Sequence, residues 1–188
     1  MHDEWEILKN NCLTCQKCPL WETRTNVVFG EGNVNAKIMF VGEGPGEQED
    51  LQGKPFVGRS GKLLDKMLEE IGLSRKTNIY IANIVKCRPP KNRDPFPEEQ
   101  RQCMDWLRSQ FVLINPKIIV TLGRIAATCM IKPDLKITKE HGCIYKKKDI
   151  LMMPTFHPAA LLRDPSKMIL AKQDFIKLKH LIDQNNAI

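Results

Sequence analysis

Short apolar segments that alternate with amphipathic helical patterns constrain the fold of this chain more than any other feature. The segments that read as buried strands are residues 37–42, 79–84, 117–122 and, more weakly because of Pro154, 150–155. Nearly continuous apolar runs of this length are typical of parallel strands covered on both faces. The pattern therefore predicts an α/β fold, a three-layer α/β/α sandwich with a central four-stranded, mainly parallel sheet.

The segments between these strands carry helical patterns with recognisable ends. Ser60 is a candidate N-cap for a helix with one apolar face, and Gly72 follows the end of that helix. Pro97 suits the first position of a second helix, which runs toward residue 115. Two further helices are predicted over residues 124–131 and from residue 166 to about 183.

Length and composition favour one soluble, intracellular domain that spans residues 1–188. The chain is long enough to bury a core, and 42% of its residues are hydrophobic. No apolar stretch approaches the ~18 residues that a membrane span requires, and the polar, acidic N-terminus is unlike a signal peptide. The formal net charge of +7 is compatible with a polyanionic partner, although a lysine-rich surface is the alternative.

Chemically unusual residues are concentrated in the segments that directly follow the strands. These segments read GEGPGEQED, NIVKCRPPKNR, GRIAA and FHPAALLR. Because parallel sheets bind ligands beyond the carboxyl ends of their strands, we expect the functional site to be assembled at that edge.

The first of these segments has the glycines of a phosphate-binding loop but the wrong charge. In 42-GEGPGE-47 a glutamate stands where the dinucleotide motif has its last glycine, and Pro45 offers no N–H donor. Carboxylates at this point would repel a pyrophosphate. The loop fits a neutral planar ligand and a positioned water better, with a solvated acidic turn as the alternative.

Three further side chains suit a pocket for a base. Phe56 lies in a loop among glycines and cations, where it could stack on a base or anchor the core. Asn83 lies near the end of an apolar strand, and its amide offers the adjacent donor and acceptor that a pyrimidine edge requires. His157, held by Pro158, could be a catalytic or a structural donor.

Seven cysteines are many for a reducing compartment, and an odd number does not suit a disulfide framework. Cys12, Cys15 and Cys18 recur at every third position, whereas Cys87 and Cys103 come much later. A CxxC pair with two distant cysteines suits one tetrahedral thiolate site, for Zn²⁺ or an iron–sulfur cluster. Spacing does not decide which two N-terminal cysteines serve, and the two distant ones could be core residues instead. A redox CxxC motif is disfavoured because this one precedes the first strand.

Six motifs in order make the chain resemble the iron–sulfur uracil-DNA glycosylases of prokaryotes, usually called family 4. The motifs are RTNVVFGEG, VGEGPGEQED, GKPFVGRSG, NIVKCRPPKNR, LGRIAA and FHPAALLR, and the likeness runs roughly from Cys12 to Leu181. It implies a DNA repair enzyme that hydrolyses the N-glycosidic bond of flipped-out uracil and leaves an abasic site. It also implies one structural [4Fe–4S] cluster that ties an N-terminal arm, residues 1–36, to the domain. The cluster ligands that it implies are Cys15, Cys18, Cys87 and Cys103.

The resemblance also implies roles for the residues of the pocket. Phe56 stacks on uracil, Asn83 reads its polar edge, and Glu49 lies near C5, where it rejects the methyl group of thymine. The catalytic residues are His157, which donates toward O2 of the departing base, and Glu43, which orients or activates the attacking water. The implied uracil-binding residues are Gly42, Gly44, Glu49, Phe56, Asn83 and His157.

Contacts to DNA are expected around the mouth of this pocket. Leu161 or Leu162 would wedge into the emptied base stack, and cations would bind phosphates, although solvated charge is the alternative for the basic loop. The expected DNA-binding residues are Arg59, Lys86, Arg88, Lys91, Arg93, Leu161, Leu162 and Arg163.

Departures from a related branch favour turnover. That branch traps uracil-DNA covalently with a histidine in an inserted loop after the second strand, and it has Gln where this chain has Gly44; here KCRPPKNRDP contains no histidine. We therefore expect a monofunctional, monomeric enzyme that acts on uracil-containing DNA in the cytoplasm, associated with the nucleoid. One rival is a non-catalytic iron–sulfur module that recognises uracil in DNA. The other, a redox or dinucleotide-binding protein, is weakened by the interrupted glycine motif.

Overall fold

The structure, a computed structural model that describes residues 2–187, is built around a single six-stranded sheet. The two end residues of the predicted 1–188 domain lie outside the described range. The strands are β1 (Glu31–Gly32), β2 (Ile38–Gly42), β3 (Ile79–Asn83), β4 (Ile118–Leu122), β5 (Tyr145–Lys147) and β6 (Ile150–Thr155). Their order across the sheet is β1-β3-β2-β4-β6-β5.

Helices connect the strands and cover the sheet. They are α1 (His2–Leu13), α2 (Glu47–Gln52), α3 (Arg59–Glu69), α4 (Pro97–Ile114), α5 (Arg124–Met130), α6 (Ile137–Glu140), α7 (Pro158–Arg163) and α8 (Met168–Gln184). Short 3-10 turns lie at Pro19–Glu22, Pro90–Asn92 and Pro165–Lys167. Within the described range, none of the helices is both long and apolar enough to cross a membrane.

The sheet confirms the predicted α/β class and corrects the number of strands. The four predicted strands pair in parallel in the order β3-β2-β4-β6. Two more strands, β1 and β5, add to the edges in antiparallel orientation. They are only 2 and 3 residues long and lack an apolar run, so their sequences carry no strand signal that reasoning from periodicity could have found.

Alternate residues of the central strands face two separate helical layers. Phe40 and Val120 pack into one core with residues of α3 and α8. Met39 and Ile119 point the opposite way, into a second core with residues of α1, α4 and α5. Side chains of successive strand residues leave opposite faces of a sheet, so continuous apolar runs are what a doubly covered sheet requires.

The predicted helix ends are correct to within a few residues, with two differences. Helix α3 begins at Arg59 after Gly58, which adopts the extended cap conformation, so Ser60 is not its N-cap. The last helix begins at Met168, because the Asp164 carboxylate accepts from Ser166 N (3.2 Å) and starts a 3-10 turn first. Helices α1, α2, α6 and α7 were not predicted.

The strand order places a crevice at the carboxyl ends of β2 and β4. From β2 the chain first adds β3 on one side and later β4 on the other, so the direction of winding reverses between these two strands. Ligands of open α/β sheets bind at such a switch point, beyond the carboxyl ends of the strands.

Candidate active site

A cleft of about 810 Å³ opens at this switch point and is lined by all four segments that follow the strands. Its walls also include the loop before α3. Residues that line it include Glu43, Gly44, Glu49, Phe56, Asn83, Asp94, Gly123, His157, Leu162 and Arg163. The cleft is larger than a single base needs, so it has room for a base and the backbone attached to it.

Gly42, the last residue of β2, allows two of the predicted pocket side chains to meet. A Cβ atom at this position would lie 2.5 Å from Asn83 Oδ1 and 2.6 Å from the Phe56 ring. Any side chain larger than hydrogen would displace one of them. Two backbone hydrogen bonds, from Ile84 N to Gly42 O (2.9 Å) and from Val85 N to Glu43 O (3.1 Å), extend the β2–β3 pairing past Asn83. They fix the main chain of Asn83.

Asn83 presents a buried acceptor that the fold leaves unpaired. The residue is 1% exposed, and its Oδ1 atom has no hydrogen-bond partner among the described residues. A buried amide oxygen without a partner costs roughly 1–3 kcal/mol, so a native fold keeps one only for a reason. A donor supplied by a ligand in the cleft would satisfy it.

Phe56 is held in a strained conformation by a residue that the sequence analysis missed. Its φ of 52° lies in the left-handed region, which is unfavourable for an aromatic residue. Arg75 donates from Nη1 to Pro55 O (2.7 Å) and from Nη2 to Phe56 O (2.9 Å), and its charge is balanced by Asp65 and Glu31. The result is a fixed ring whose centroid lies 5.5 Å from that of His157. No motif in the sequence pointed to Arg75.

His157 caps helix α7, and this contact fixes its tautomer. Its Nδ1 atom accepts a hydrogen bond from Ala159 N (3.1 Å), so in the neutral ring the proton resides on Nε2. Burial, with a smaller contribution from the Arg163 cation, lowers the pKa of His157 to about 4. The ring is therefore a neutral N–H donor at physiological pH. Gly123 (φ 87°) permits its approach, because a Cβ there would lie 2.8 Å from His157 Cβ.

Glu43 is a half-buried carboxyl group whose proton affinity is tuned to neutral pH. Burial, reinforced by the nearby Asp94 carboxylate, raises the pKa of Glu43 to about 7, and Arg124 and Arg163 oppose the rise. Asp94 itself forms an ion pair with Arg124 (2.5 Å) at the rim of the cleft. Neither Asp94 nor Arg124 was among the predicted site residues. A carboxylate with such a pKa can accept a proton from water at physiological pH.

Glu49 lines the cleft but is engaged by the loop that carries Phe56. Its Oε1 atom accepts from Val57 N (2.9 Å) and Gly58 N (2.8 Å). These bonds make it a support for that loop, and its predicted role near C5 of the base stays a prediction. Gly44 also lines the cleft, where a Cβ would come within 2.7 Å of Val85.

Two of the expected DNA contacts are corrected by burial. Lys86 is 1% exposed and points inward, where its Nζ atom donates to Asn83 O (3.0 Å) and Gln110 Oε1 (2.7 Å). It therefore cannot reach a phosphate. Leu161 is also 1% exposed and packs in the core, whereas its neighbour Leu162 is exposed and lines the cleft. Only Leu162 is placed to act as a wedge.

The remaining basic residues differ in whether their side chains are engaged by an acceptor within the protein. Arg59 and Arg163 are exposed and line the cleft, and Lys91 is exposed nearby. Arg93 also lines the cleft, but it pairs with the buried Glu99 carboxylate at 2.6 and 2.8 Å. Arg88 donates to Asn92 Oδ1 (2.8 Å). Within residues 2–187, Arg59, Lys91 and Arg163 have no acceptor side chain in hydrogen-bonding or ion-pair contact, and they come from three different segments around the cleft.

Five thiols line a second pocket, on the side of the sheet that α1 and α4 cover. They belong to Cys12, Cys15, Cys18, Cys87 and Cys103. Burial raises the pKa of both Cys12 and Cys103 to about 12. Among the described residues, no group of three or more His, Cys, Asp or Glu side chains is arranged to hold a metal ion.

N–H groups near sulfur separate four of these thiols from the fifth, and three of the four accept a hydrogen bond. Cys15 Sγ accepts from Trp106 Nε1 (3.3 Å), Cys87 Sγ from Arg24 Nη1 (3.2 Å) and Cys103 Sγ from Lys86 N (3.2 Å). Burial raises the pKa of the Cys18 thiol, and the backbone N–H of Leu20 opposes this rise. Within residues 2–187 no such donor faces the thiol of Cys12, which is fully buried among apolar side chains. N–H groups directed at sulfur stabilise thiolates, so the four thiols have the surroundings of ligands.

Lys86 joins the thiol pocket to the backbone of Asn83. Its backbone N–H donates to Cys103, and its ammonium group donates to the carbonyl group of Asn83. Burial lowers the pKa of Lys86 to about 8, against the opposing effect of the neighbouring thiols of Cys103 and Cys12. A buried cation in this position favours negative charge in the thiol pocket.

Fold and site together define an α/β protein with a ligand-binding cleft at the switch point of its sheet. The chain belongs to the Uracil DNA glycosylase superfamily, whose family model matches residues 29–181. It is similar to the Type-4 uracil-DNA glycosylase of Sulfurisphaera tokodaii, with 46% identity over 95% of this chain and 85% of the relative. A Type-4 uracil-DNA glycosylase of Thermotoga maritima is 46% identical over 94% of both chains. A Type-5 enzyme of Pyrobaculum aerophilum is 32% identical over 81% of each.

Proposed function

We propose that this protein is a monofunctional type-4 uracil-DNA glycosylase, which hydrolyses the N-glycosidic bond of uracil in DNA and leaves an abasic site. The observation that carries the proposal is the buried Oδ1 atom of Asn83, which lies beside Gly42 and the Phe56 ring and has no hydrogen-bond partner within residues 2–187. The N3–H group of uracil is the donor that this atom lacks. Cytosine would present an acceptor at the same position, so the amide discriminates between the two bases.

Base release needs a donor where negative charge develops. As the N1–C1′ bond breaks, its electron pair passes to the base, and the charge is shared with O2. The neutral His157 ring, with its proton on Nε2, donates there without titrating at physiological pH. Phe56 stacks on the base and keeps it in the plane that Asn83 and His157 define.

Glu43 acts on the opposite reactant, the water. The oxygen of the water forms the new bond to C1′, and its proton passes to the Glu43 carboxylate, whose raised pKa makes it a suitable acceptor. The ionised carboxylate also stabilises the positive charge that develops on the sugar.

Binding of DNA requires the nucleotide to leave the stack, which costs a few kcal/mol. Leu162, exposed at the cleft, fills the emptied space, and the exposed cations Arg59, Lys91 and Arg163 hold the backbone phosphates. We propose that residues 1–188 act as a single domain and as a monomer, on DNA in the cytoplasm.

A four-iron, four-sulfur cluster is the proposed cofactor, with Cys15, Cys18, Cys87 and Cys103 as its ligands. Four thiols that each have an N–H group directed at the sulfur fit this group; Cys87 and Cys103 are buried, and Cys15 and Cys18 are half-buried. In a four-iron cluster each thiolate binds a different iron, so the sulfurs need not converge on one point as they do for Zn²⁺. The cluster would be structural: it would tie the arm 1–36 to α4 and to the segment that follows β3, and the chemistry of excision belongs to the cleft.

The test is excision measured over many turnovers. Anaerobically purified protein is incubated with an excess of a uracil-containing oligonucleotide, and abasic sites are counted after alkaline cleavage, with a thymine oligonucleotide as the control. We expect abasic sites to exceed the protein many-fold. Intact DNA, or a single event per protein molecule, would overturn the enzyme and favour a module that only recognises uracil.

The pH dependence of Glu43 gives opposite effects on activity and stability. We expect excision to rise as the pH passes about 7 and the carboxylate forms. Glu43→Gln should be about 10²–10⁴-fold slower, and its rate should not depend on pH.

The same pKa predicts how stability depends on pH. Because the pKa of Glu43 is raised in the folded protein, the stability contributed by the protonated form is complete below pH 4.5 and is lost as the pH rises through about 7. Glu43→Gln should therefore be more stable than the wild type at pH 8, by on the order of 2 kcal/mol, and equal at pH 4. Thermal unfolding at both pH values checks the sign, and equal melting temperatures at pH 8 would contradict the assigned pKa.

A further inference from the structure

Phe96 is an exposed aromatic residue that the proposed chemistry leaves without a role. It is 57% exposed and lies two residues beyond Asp94, which lines the cleft. We propose that Phe96 is a second stacking surface, which holds a nucleobase of the DNA outside the uracil pocket. This inference rests on the proposed function, because it assumes that DNA occupies the cleft.

The backbone around Phe96 is rigid. Pro95 precedes it and Pro97 follows it as the first residue of α4. The backbone N–H of Phe96 donates to Glu99 Oε2 (2.7 Å) at the N-terminus of α4. This contact uses the backbone of Phe96 and does not involve its ring. A ring presented on a fixed main chain loses little conformational entropy when a base stacks on it.

A cation supports the ring from one side. The guanidinium group of Arg93 lies 3.7 Å from the centroid of the Phe96 ring, and the bidentate pair with Glu99 holds that guanidinium in place. Phe96 nevertheless remains more than half exposed, so the ring has accessible surface for a further planar partner. Aromatic and guanidinium planes together are the usual platform on which proteins stack unpaired bases.

The surroundings favour nucleic acid over a protein partner. Phe96 lies in the basic segment that follows β3, with Arg88, Lys91 and Arg93 before it, and Arg124 reaches this segment through Asp94. Cations around an exposed aromatic ring match a base with its phosphates. Val112, in contrast, is 71% exposed near the other end of α4 but is aliphatic and does not line the cleft, which makes it a matched control.

Topology places the segment that carries this ring, and that lines the cleft with Arg93 and Asp94, across the cleft from the wedge. Phe96 follows β3 and Leu162 follows β6, and these strands flank β2 and β4 on opposite sides. When the uracil nucleotide enters the pocket and Leu162 fills its place, the neighbouring or opposite base loses a stacking partner. Phe96 supplies one, and so favours the flipped-out state.

The test uses DNA with a tetrahydrofuran abasic site and a fluorescent 2-aminopurine placed in turn at each position within three nucleotides of it, on both strands. We expect wild-type protein to quench 2-aminopurine at one or more positions. Phe96→Leu should relieve that quenching and weaken DNA binding on the order of tenfold. Phe96→Trp should keep both, and Val112→Ala should change neither.

Parallel uracil excision by the wild type separates this inference from the proposed function. If the wild type excises uracil but Phe96→Leu leaves quenching and affinity unchanged, the stacking surface is refuted and the proposed function stands. If the wild type does not excise uracil, the proposed function itself fails. Melting temperatures of Phe96→Leu and the wild type should agree, since the ring is not a core residue.

Discussion

Replacing His157 with asparagine is expected to slow uracil excision by about 10²–10³-fold while DNA affinity changes by less than about threefold. The reason is that His157 is a neutral donor aimed at charge that exists only in the transition state. Burial and the Arg163 cation keep its pKa near 4, and Ala159 N occupies Nδ1, so the remaining N–H on Nε2 is free for the base.

Asparagine is the right substitution because it retains the structural half of the role. His157 is the N-cap of α7, and asparagine is a favourable N-cap whose side-chain oxygen can accept from Ala159 N. His157→Ala loses the cap as well as the donor and should additionally destabilise the fold by ~1 kcal/mol. A loss of excision shared by both variants then reports the donor alone.

The measurement is single-turnover excision with saturating protein, alongside equilibrium binding to DNA that carries a non-hydrolysable uracil nucleotide. The ratio of the wild-type rate to the rate of His157→Asn should be uniform from pH 6 to pH 9, because the missing donor does not titrate in that range. A rate near that of the wild type, or a defect that disappears once DNA is saturating, would show that His157 only caps the helix.

How far the sequence predicts this molecule depends on the kind of signal each part carries. The central strands are predicted because burial on both faces leaves runs such as KIMFVG and KIIVTL. The edge strands β1 and β5 are not predicted because edges have little apolar surface to bury. Helix α7 is not predicted because its six residues, PAALLR, are too few to show a helical period.

The sequence does not predict which basic side chains of the site are buried and which are exposed. Lys86 stands in a run of basic residues and was expected on DNA, yet it is buried against Gln110 and the Asn83 carbonyl. Nothing local distinguishes it from Lys91, because its partner Gln110 is 24 residues away on α4. Leu161 and Leu162 raise the same problem, since only the geometry of α7 decides which leucine is buried.

Residues that support the site, in contrast to those that form it, left no sequence signal. Arg75 follows α3 in an ordinary polar stretch, but it holds the strained Phe56 loop through two backbone carbonyls. Asp94 and Arg124 come from loops after different strands and meet only in three dimensions. Contacts between distant segments of this kind depend on the packing of the whole chain, which local patterns do not encode.

Replacing Cys87 with alanine is expected to abolish iron binding and lower the melting temperature by about 10 °C, since a metal site of this kind contributes several kcal/mol to folding. Cys87 follows β3 in the thiol pocket, and Arg24 of the arm donates to its sulfur and to Cys15 O (2.7 Å). Without the cluster the arm loses this attachment and keeps its packing in the second core. Iron and acid-labile sulfide per protein molecule, visible absorbance, thermal unfolding and limited proteolysis of the arm measure the effect without relying on activity.

Cys12 supplies the control that distinguishes a ligand from a buried thiol. It lines the same pocket, but no N–H donor among residues 2–187 faces its sulfur, so Cys12→Ala should cost packing energy of about 1 kcal/mol and retain iron and sulfide. Exposed Cys143 should tolerate alanine without any change. Loss of iron in Cys12→Ala together with its retention in Cys15→Ala would reassign the ligands. A stable, active and colourless Cys87→Ala would show that the protein holds no cluster through Cys87. Zinc in place of iron in the wild type would show a zinc site instead of a cluster, because thiols with directed N–H donors accommodate either metal.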